Sequence, residues 1–370
     1  MTNSPLFTPL DIGPIQLRHR VVMAPLTRMR SERPGDVPGN LMAEYYGQRA
    51  SEGGLIITEG TEITPKASGF ERVPGIYSDA QVAGWRKVVE AIHAKGGHVF
   101  LQLWHPGRVS HIDLAEGAIP VGPSEVVSEN IITYSVTGPL PATPNRSLEA
   151  DEIAMIVEEH RRGAEQAKIA GFDGVEILAG GGYLIDQFLQ DGANKRSDRY
   201  GGSIQNRTRF LIEVLDAVSS VWDANRVSVR LTPSGTFNSI SDSDPEILFD
   251  YVVDSLNRYK LAYLHLVEPR VRGGTTLKGE APPVAAARLR KIYRGSIIAA
   301  GGFNSESASE IISKGDANLV AFGRQFIANP DLPRRIQLGL SLNPYNRATF
   351  YGGDHRGYTD YPFYKNSASD

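Results

Sequence analysis

The chain of 370 residues contains no cysteine. This absence excludes disulfides, thiolate zinc sites, iron–sulfur clusters and cysteine nucleophiles. We also expect no metal site of other ligands.

Long apolar runs and an excess of charge are also missing. No segment approaches the roughly 20 apolar residues that cross a bilayer, and the first residues, MTNSPLFTPLDIGPIQLRHR, lack the pattern of a secretory signal. The net charge of −3 gives no hint of a nucleic-acid surface. With 41% apolar and 22% charged residues the composition is that of a soluble globular protein. We expect a cytoplasmic protein, monomeric or weakly dimeric, that acts on a small molecule without nucleic-acid or membrane partners.

Eight short apolar runs predict buried parallel strands, because each is apolar on both faces and bounded by Gly, Pro or polar residues. The runs are Val21–Pro25, Leu55–Glu59, Val99–Leu103, Gly174–Leu178, Val227–Leu231, Tyr263–Val267, Ile297–Ala300 and Leu319–Phe322.

Helical patterns lie between these runs. Asp151–Ala170 ends at Gly171, Ser203–Trp222 follows a cap-like serine, and Ser305–Ser313 is capped by Asn304 or Ser305. Strands alternating with helices predict a single α/β domain over residues 1–370, a (β/α)8 TIM barrel. A doubly wound sheet is the rival fold, but no G-x-G-x-x-G follows an early strand.

The widest gap between predicted strands runs from about His105 to Glu149 and is rich in Pro, Gly, Ser and Thr. A long excursion after a barrel strand belongs to the C-terminal face, where barrel active sites are built. We interpret it as a capping loop; a tolerated surface insertion is the alternative.

Two glycine clusters indicate a phosphate site. Gly301 and Gly302 follow the seventh predicted strand, and Gly323 and Arg324 follow the eighth. The loops after the last two strands are the recurrent phosphate site of this fold, where glycine amides and a guanidinium can surround an anion. Tight turns alone would also explain the glycines, but not their coincidence in these two loops with an arginine.

The segment GYLIDQFL and the following N-x-R-x-D-x-Y-G-G-S pattern, within residues 174–203, resemble the most characteristic block of the old yellow enzyme family of FMN-dependent ene-reductases. Further blocks resemble the family in order along nearly the whole chain: HRVVMAPLTRMR, EYYGQRAS, LIITEGTEI, PGIYSDAQVAGW, LQLWHPGR, AFGRQFIANPDLP and FYGG…GYTDYP. The resemblance implies an N-terminal β-hairpin before the barrel, non-covalently bound FMN, NADPH or NADH as hydride donor, and reduction of activated C=C bonds in enones, maleimides or nitroalkenes.

The same resemblance implies roles for individual residues. Tyr183 is the expected proton donor, and Thr27 is expected to hydrogen-bond the flavin and tune its potential. Gln102 and Arg230 are expected at the pyrimidine edge, where Arg230 would stabilise the anionic reduced flavin. The expected flavin-binding residues are Pro25, Leu26, Thr27, Gly60, Gln102, Arg230, Gly301, Gly302, Gly323 and Arg324. The expected substrate pocket is formed by Trp104, Leu178, Gly181, Tyr183 and Tyr351.

Leu178 and Gly181 depart from the family pattern. The family usually has a His/His or His/Asn pair in these positions, which grips the substrate carbonyl and stabilises the negative charge that develops on it. Leu178 has no donor and Gly181 has only its backbone. Confinement of the departure to residues 178–181 favours an engineered variant over a natural paralogue or a deliberately disabled enzyme.

Two other classes of function remain open at this stage. A barrel isomerase or aldolase for a phosphorylated metabolite would share the phosphate site, but it needs a strand-end base, and no strand-end lysine is present. A flavin-binding protein without catalytic activity, or one with a different flavin-dependent reaction, would explain the missing pair. The physiological substrate and the choice between NADPH and NADH are not encoded in any pattern that we recognise.

Overall fold

A closed barrel of eight parallel strands forms the centre of the protein. The computed structural model describes residues 4–125, 130–272, 275–277 and 284–365. Around the barrel the strands follow chain order, and β8 closes on β1. The strands are β1 (Val21–Met23), β2 (Leu55–Glu62), β3 (His98–Trp104), β4 (Gly174–Leu178), β5 (Val227–Leu231), β6 (Tyr263–Val267), β7 (Ile297–Ala300) and β8 (Leu319–Phe322). The predicted TIM barrel is confirmed.

All eight predicted runs became barrel strands, and three of them have different ends. β1 stops at Met23 because the pairing with β8 cannot continue past Ala24. The Ala24 amide still donates to the Phe322 carbonyl at 3.0 Å, but Pro25 has no amide hydrogen to donate. β2 continues to Glu62 after a register shift between Ile57 and Gly60. Such an irregularity re-aims the side chains at a strand end.

Helices pack around the barrel. They are α1 (Asn40–Arg49), α2 (Asp79–His93), α3 (Ala150–Ala170), α4 (Leu184–Leu189), α5 (Ile204–Ser219), α6 (Pro245–Leu256), α7 (Ala286–Leu289), α8 (Ser305–Ser313), α9 (Arg324–Ala328) and α10 (Leu332–Leu338). Single 3-10 turns lie at Pro5–Phe7, Pro65–Ala67, Ala224–Arg226, Phe237–Ser239 and Arg347–Thr349. Within the described residues no helix is long and apolar enough to span a membrane.

The predicted helix ends hold to within a few residues. α3 begins one residue earlier than predicted and ends at Gly171, which adopts a left-handed φ of 94°. α5 stops three residues before the predicted end, and its predicted cap Ser203 accepts a hydrogen bond from the Asn206 amide. Asn304, not Ser305, caps α8.

The N-terminal hairpin closes the lower end of the barrel. Its strands, Leu10–Ile12 and Ile15–Leu17, pair antiparallel, and Ile12, Ile15 and Leu17 pack in one cluster with interior side chains of the barrel strands. Because this end is filled by apolar side chains, the opposite, C-terminal end remains for a ligand.

The long segment after β3 lies over the C-terminal mouth, as predicted. It contains a hairpin, Ile132–Ser135 with Gly138–Pro141, and a short parallel pair, Val121–Gly122 with Arg146–Ser147. The Tyr134 carbonyl accepts from the Glu71 amide at 2.9 Å, and the Tyr134 ring stacks on Tyr351 with centroids 5.5 Å apart. Part of this predicted capping loop, residues 126–129, lies outside the described residues.

Candidate active site at the barrel mouth

A polar row crosses the upper interior of the barrel. Gln102 on β3 donates from Nε2 to Glu176 Oε1 at 2.7 Å, and His265 Nδ1 lies 2.9 Å from Glu176 Oε2. Arg230 lies on β5 between these strands, in register with Leu178 on one side and His265 on the other. Within the described residues the Arg230 side chain has no hydrogen-bond partner, and its Nε is buried. The row therefore offers a guanidinium and an amide to a ligand at the mouth.

Residues 25–27 and Gly60 border this row at the ends of β1 and β2. Pro25 is buried, whereas Leu26 and Thr27 are half-buried. A Cβ on Gly60 would lie 3.2 Å from the Trp104 ring, and one on Gly323 would lie 3.1 Å from Leu26 Cδ2. A side chain at either position would therefore require its neighbour to move by a few tenths of an ångström.

The two predicted phosphate loops lie together after β7 and β8. Gly301 and Gly302 have φ values of 114° and 73°, a region that side chains rarely adopt. Among the described residues, Arg324 donates from a terminal nitrogen to Thr276 Oγ1 at 2.8 Å and lies over the Tyr345 ring, and it forms no ion pair with a carboxylate. This uncompensated positive charge beside strained glycine backbone is suited to an anion.

An apolar cluster forms the other half of the mouth. Leu178 packs there with Met29, Phe70, Val73 and Trp104, and Tyr134 and Tyr183 border the cluster. Phe70 stacks on Trp104 with centroids 5.5 Å apart. The predicted pocket residues Trp104, Leu178 and Tyr183 are brought together, and Tyr351 reaches them through Tyr134. The sequence analysis did not predict Phe70 and Tyr134 as pocket residues. Their aromatic side chains, in the loops after β2 and β3, were the feature that could have indicated them.

The backbone around Gly181 is already engaged in hydrogen bonds. The Gly181 amide donates to Thr232 Oγ1 at 2.7 Å, and the Gly182 amide donates to Asp186 Oδ2 at 2.8 Å. The Gly181 carbonyl accepts from Asn238 Nδ2 at 2.8 Å. These amides are therefore not free to replace the side-chain donors that are missing at positions 178 and 181.

Tyr183 stands beside the cluster at the start of α4. Its ring meets Trp104 edge-on, with centroids 5.1 Å apart and planes inclined by 79°. Burial raises the pKa of the Tyr183 phenol above its usual range. The hydroxyl consequently keeps its proton at neutral pH and is available as a donor.

Comparison with known proteins assigns the family. Residues 5–343 match the NADH:flavin oxidoreductase / NADH oxidase family. The chain belongs to this family. Because the match covers the whole barrel, the rival interpretations as a doubly wound sheet and as an isomerase or aldolase are set aside.

The flavin oxidoreductase is similar to plant 12-oxophytodienoate reductases and to morphinone reductase along nearly its full length. It is 47% identical over 364 residues to 12-oxophytodienoate reductase 1 of Oryza sativa subsp. japonica, covering 97% of this chain and 93% of the relative. It is 44% identical over 370 residues to 12-oxophytodienoate reductase 2 of Arabidopsis thaliana, covering 98% and 97%. A solved structure of morphinone reductase in complex with tetrahydroNAD superposes with a TM-score of 0.92 at 47% identity, covering 100% of both chains.

The protein is thus an NAD(P)H-dependent flavin oxidoreductase that binds FMN. The mouth fits this cofactor, because it offers a buried Arg230 nitrogen without a protein partner and two glycine loops beside Arg324. When bound, FMN accepts a hydride from the nicotinamide and returns it to a second substrate.

The framework of the glycine-rich loop was missed from the sequence. Thr232, Asp186 and Asn238 hold residues 181 and 182 in place through the contacts given above. Thr276, which contacts Arg324, was also missed. The sequence contains little indication of these contacts. Asn238 has a left-handed φ of 57°, which no sequence pattern predicts, and Asp186 lies in a helix whose other residues are mostly apolar.

Proposed function

We propose that this protein reduces activated C=C bonds, and that the donor pair that usually activates the substrate carbonyl in its family is absent. The observation that carries the proposal is the mouth itself. A polar row with Arg230 faces an aromatic-walled pocket that contains a protonated Tyr183 but presents only Leu178 and occupied glycine amides on the remaining side.

In this proposal the whole of residues 1–370 forms one FMN-binding domain. Gly301, Gly302, Gly323 and Arg324 hold the phosphate, and Gln102 and Arg230 contact the ring edge. Pro25, Leu26, Thr27 and Gly60 form the remaining ring-side surface. The family match supports this placement, as does Thr276, which accepts a hydrogen bond from Arg324 and whose hydroxyl oxygen lies 4.0 Å from a Cβ built on Gly302.

Tyr183 is proposed to deliver a proton to the alkene carbon next to the one that receives the hydride. Support comes from its position against Trp104 at the edge of the pocket and from its phenol, which holds a proton at neutral pH. An acid of fixed reach gives a rate advantage only when the substrate is held in register. Since the pocket lacks the donor pair, the substrate is held less firmly. Tyr183 is therefore expected to contribute less to the rate than it would if the donor pair were present.

The missing donors are proposed to weaken the oxidative half of the reaction. Negative charge develops on the substrate oxygen as hydride arrives, and each preorganised donor to such an oxygen is typically worth about 10²–10³ in rate. Hydride transfer from NAD(P)H to the flavin does not need these donors. The pocket should meanwhile admit bulkier and less polar ligands, because Leu178 is apolar and Gly181 has no side chain.

The alternative is a flavin oxidoreductase that catalyses a different flavin-dependent reaction, and the missing donors are what favours it. The confinement of the departure to residues 178–181, within a loop whose frame of hydrogen bonds is complete, supports an engineered origin.

An anaerobic pair of titrations separates these functions. NADPH or NADH is added to the yellow protein without air, and cyclohexenone, a maleimide or a nitroalkene is then added to the bleached protein. Bleaching followed by recolouring is expected, with recolouring the slower step. Bleaching without recolouring by any of the three acceptors would contradict ene-reduction and favour the alternative.

A further inference from the structure

The interior of the barrel is divided into a polar and an apolar half. On the strands β3 to β6 the upper interior carries Gln102, Glu176, Arg230 and His265. On β7, β8 and β1 the interior positions carry apolar side chains, including Ala300 and Ala321 near the strand ends. Glu176 is fully buried on a strand whose other residues are Gly, Val, Ile and Leu. A buried carboxylate is costly unless it is paired, so its partners indicate its role.

Both oxygens of Glu176 are used. One accepts from Gln102 Nε2 at 2.7 Å and the other lies 2.9 Å from His265 Nδ1. An ionised carboxylate only accepts hydrogen bonds. It therefore turns the Gln102 amide so that the nitrogen faces Glu176, and it places the His265 proton on Nδ1. The orientation of a side chain at the flavin edge is thus set by a residue that does not reach the flavin.

Glu176 is also the counter-charge of Arg230. Glu176 lies on β4, next to β5, which carries Arg230. It is in register with Ser228, which precedes Arg230 by two residues. Arg230 has no carboxylate within ion-pair distance among the described residues. Burial opposes ionisation of Glu176, but His265, Arg230 and Gln102 outweigh it and hold the pKa of this carboxyl below its usual range.

We propose that Glu176 is a positioning residue that sets the reduction potential of the bound flavin. It holds Gln102 in one orientation, and its negative charge limits how strongly Arg230 stabilises the anionic, reduced ring. This inference rests on the proposed function only in placing the ring edge at Gln102 and Arg230.

The sign of the effect follows from the charge. Glu176→Gln removes a buried negative charge while preserving the size of the side chain, so the reduced anionic flavin becomes more stable. With an effective dielectric constant of about 20, a unit charge within roughly 10 Å changes an equilibrium by tenfold or more. We expect reduced FMN to gain about tenfold in affinity relative to oxidised FMN, which for a two-electron couple raises the potential by about 30 mV.

The barrel offers a matched control on the same strand segment. Asp173 immediately precedes β4 and also joins a carboxylate to an imidazole: its Oδ2 lies 2.9 Å from His93 Nε2 and accepts from the Val99 amide at 2.8 Å. It lies at the lower end of the barrel, about 10 Å below Glu176 along the strand. Asp173 is 20% exposed and lies further from the mouth, so solvent and salt screen its charge. Asp173→Asn therefore removes a carboxylate of similar contacts but should leave the flavin potential nearly unchanged.

The experiment measures the potential of the FMN-loaded protein by anaerobic titration against a dye of known potential, together with the dissociation constant of oxidised FMN. Glu176→Gln should raise the potential. Glu176→Asp should have a potential close to that of the unaltered protein, because it keeps the charge. Asp173→Asn should also match the unaltered protein. Should Glu176→Gln fail to fold, His265→Leu is used, which should also raise the potential because Glu176 then loses its charge more readily.

The outcomes are distinct. An unchanged or lowered potential in Glu176→Gln, or equal shifts in Glu176→Gln and Asp173→Asn, overturns the inference and leaves FMN binding untouched. Failure of the unaltered protein to bind FMN overturns the proposed function, and the inference with it.

Discussion

Leu178 and Gly181 remove two donors from the same site, but they differ in how readily donors could be restored. Leu178 lies in a regular strand and packs against the apolar cluster, so a histidine there meets no backbone strain. Gly181 has a φ of 72°, and a Cβ there would lie 3.1 Å from the Tyr183 ring. Asparagine tolerates this backbone region better than most residues, although the tyrosine ring must move by a few tenths of an ångström.

Restoring the donors should speed the oxidative half-reaction. Leu178→His alone, and more so Leu178→His with Gly181→Asn, should accelerate reoxidation by cyclohexenone, by about two orders of magnitude for the pair. Bleaching by NADPH should change little, which makes it the internal control. Stopped-flow absorbance of the flavin measures both steps. Equal reoxidation rates before and after restoration would show that the missing pair is irrelevant.

Arg324 and Arg230 should each contribute to FMN retention by a different route. A charge-assisted hydrogen bond is worth about 1.5–3 kcal/mol, so Arg324→Ala and Arg230→Ala should each raise the FMN dissociation constant by roughly an order of magnitude or more. Only Arg230→Ala should also alter the flavin absorption spectrum, since of the two arginines only Arg230 is proposed to contact the ring. Lys314→Ala, which removes an exposed charge paired with Glu310, is the control. Unchanged affinity in both variants would contradict the placement of phosphate and ring.

At the scale of structural elements, the loop between β4 and α4 is held by close packing as well as by hydrogen bonds. A Cβ on Gly182 would lie 2.6 Å from the Phe237 carbonyl oxygen, and one on Gly180 would lie 2.8 Å from the Thr232 amide nitrogen. These two glycines are required by their neighbours, whereas Gly181 faces the pocket. Of the three glycines, Gly181 is therefore the one at which a side chain could be added with the smallest displacement of its neighbours.

Gly182→Ala and Gly315→Ala separate packing from backbone conformation. Both glycines have left-handed φ values, 73° and 78°, but a Cβ on Gly315 has no neighbour within 4 Å. Gly315→Ala should cost about 1 kcal/mol of unfolding free energy, and Gly182→Ala about 3 kcal/mol or more, because it adds a clash with backbone. Urea denaturation of the FMN-loaded protein measures the difference. Similar losses in the two variants would contradict the packing argument.

At the scale of the whole molecule, the C-terminal segment is bound to the barrel by buried arginines. Arg28 donates to the carbonyls of Phe350 and Gly357, and Arg30 donates to those of Asp354 and Thr349. This arrangement holds the segment that carries Tyr351 over the mouth. The carboxyl group of Glu59 lies beside it, accepting from the Arg28 amide at 3.0 Å.

Glu59 should make stability fall as the pH rises through weakly acidic values. Burial raises its pKa from 4.5 to about 7. Between these values the folded protein holds a proton that the unfolded chain has lost, so the contribution is full below pH 4.5 and is lost by about pH 7. The shift corresponds to about 3 kcal/mol. Glu59→Gln should flatten the change in unfolding free energy between pH 5 and pH 7.5, measured by urea denaturation; an unaltered slope would contradict it.

Much of this protein was determined by its sequence alone. Alternating apolar runs and helical patterns predicted the barrel, and the two glycine clusters predicted adjoining anion loops. These features depend on local periodicity and on the rule that parallel strands present their carboxyl ends on one face. The resemblance to the family predicted which residues line the pocket, and it identified Leu178 and Gly181 as departures from the family pattern.

Only the tertiary structure decided which groups near Leu178 and Gly181 are already hydrogen-bonded. Thr232 and Asn238 lie more than 50 residues from Gly181 in sequence, and their contacts occupy its backbone groups. The partnership of Glu176 with Gln102 and His265 joins three strands, separated by 74 and 89 residues. Such contacts arise from closure of the barrel, which brings distant residues to one height, and no local pattern encodes which buried polar groups then meet.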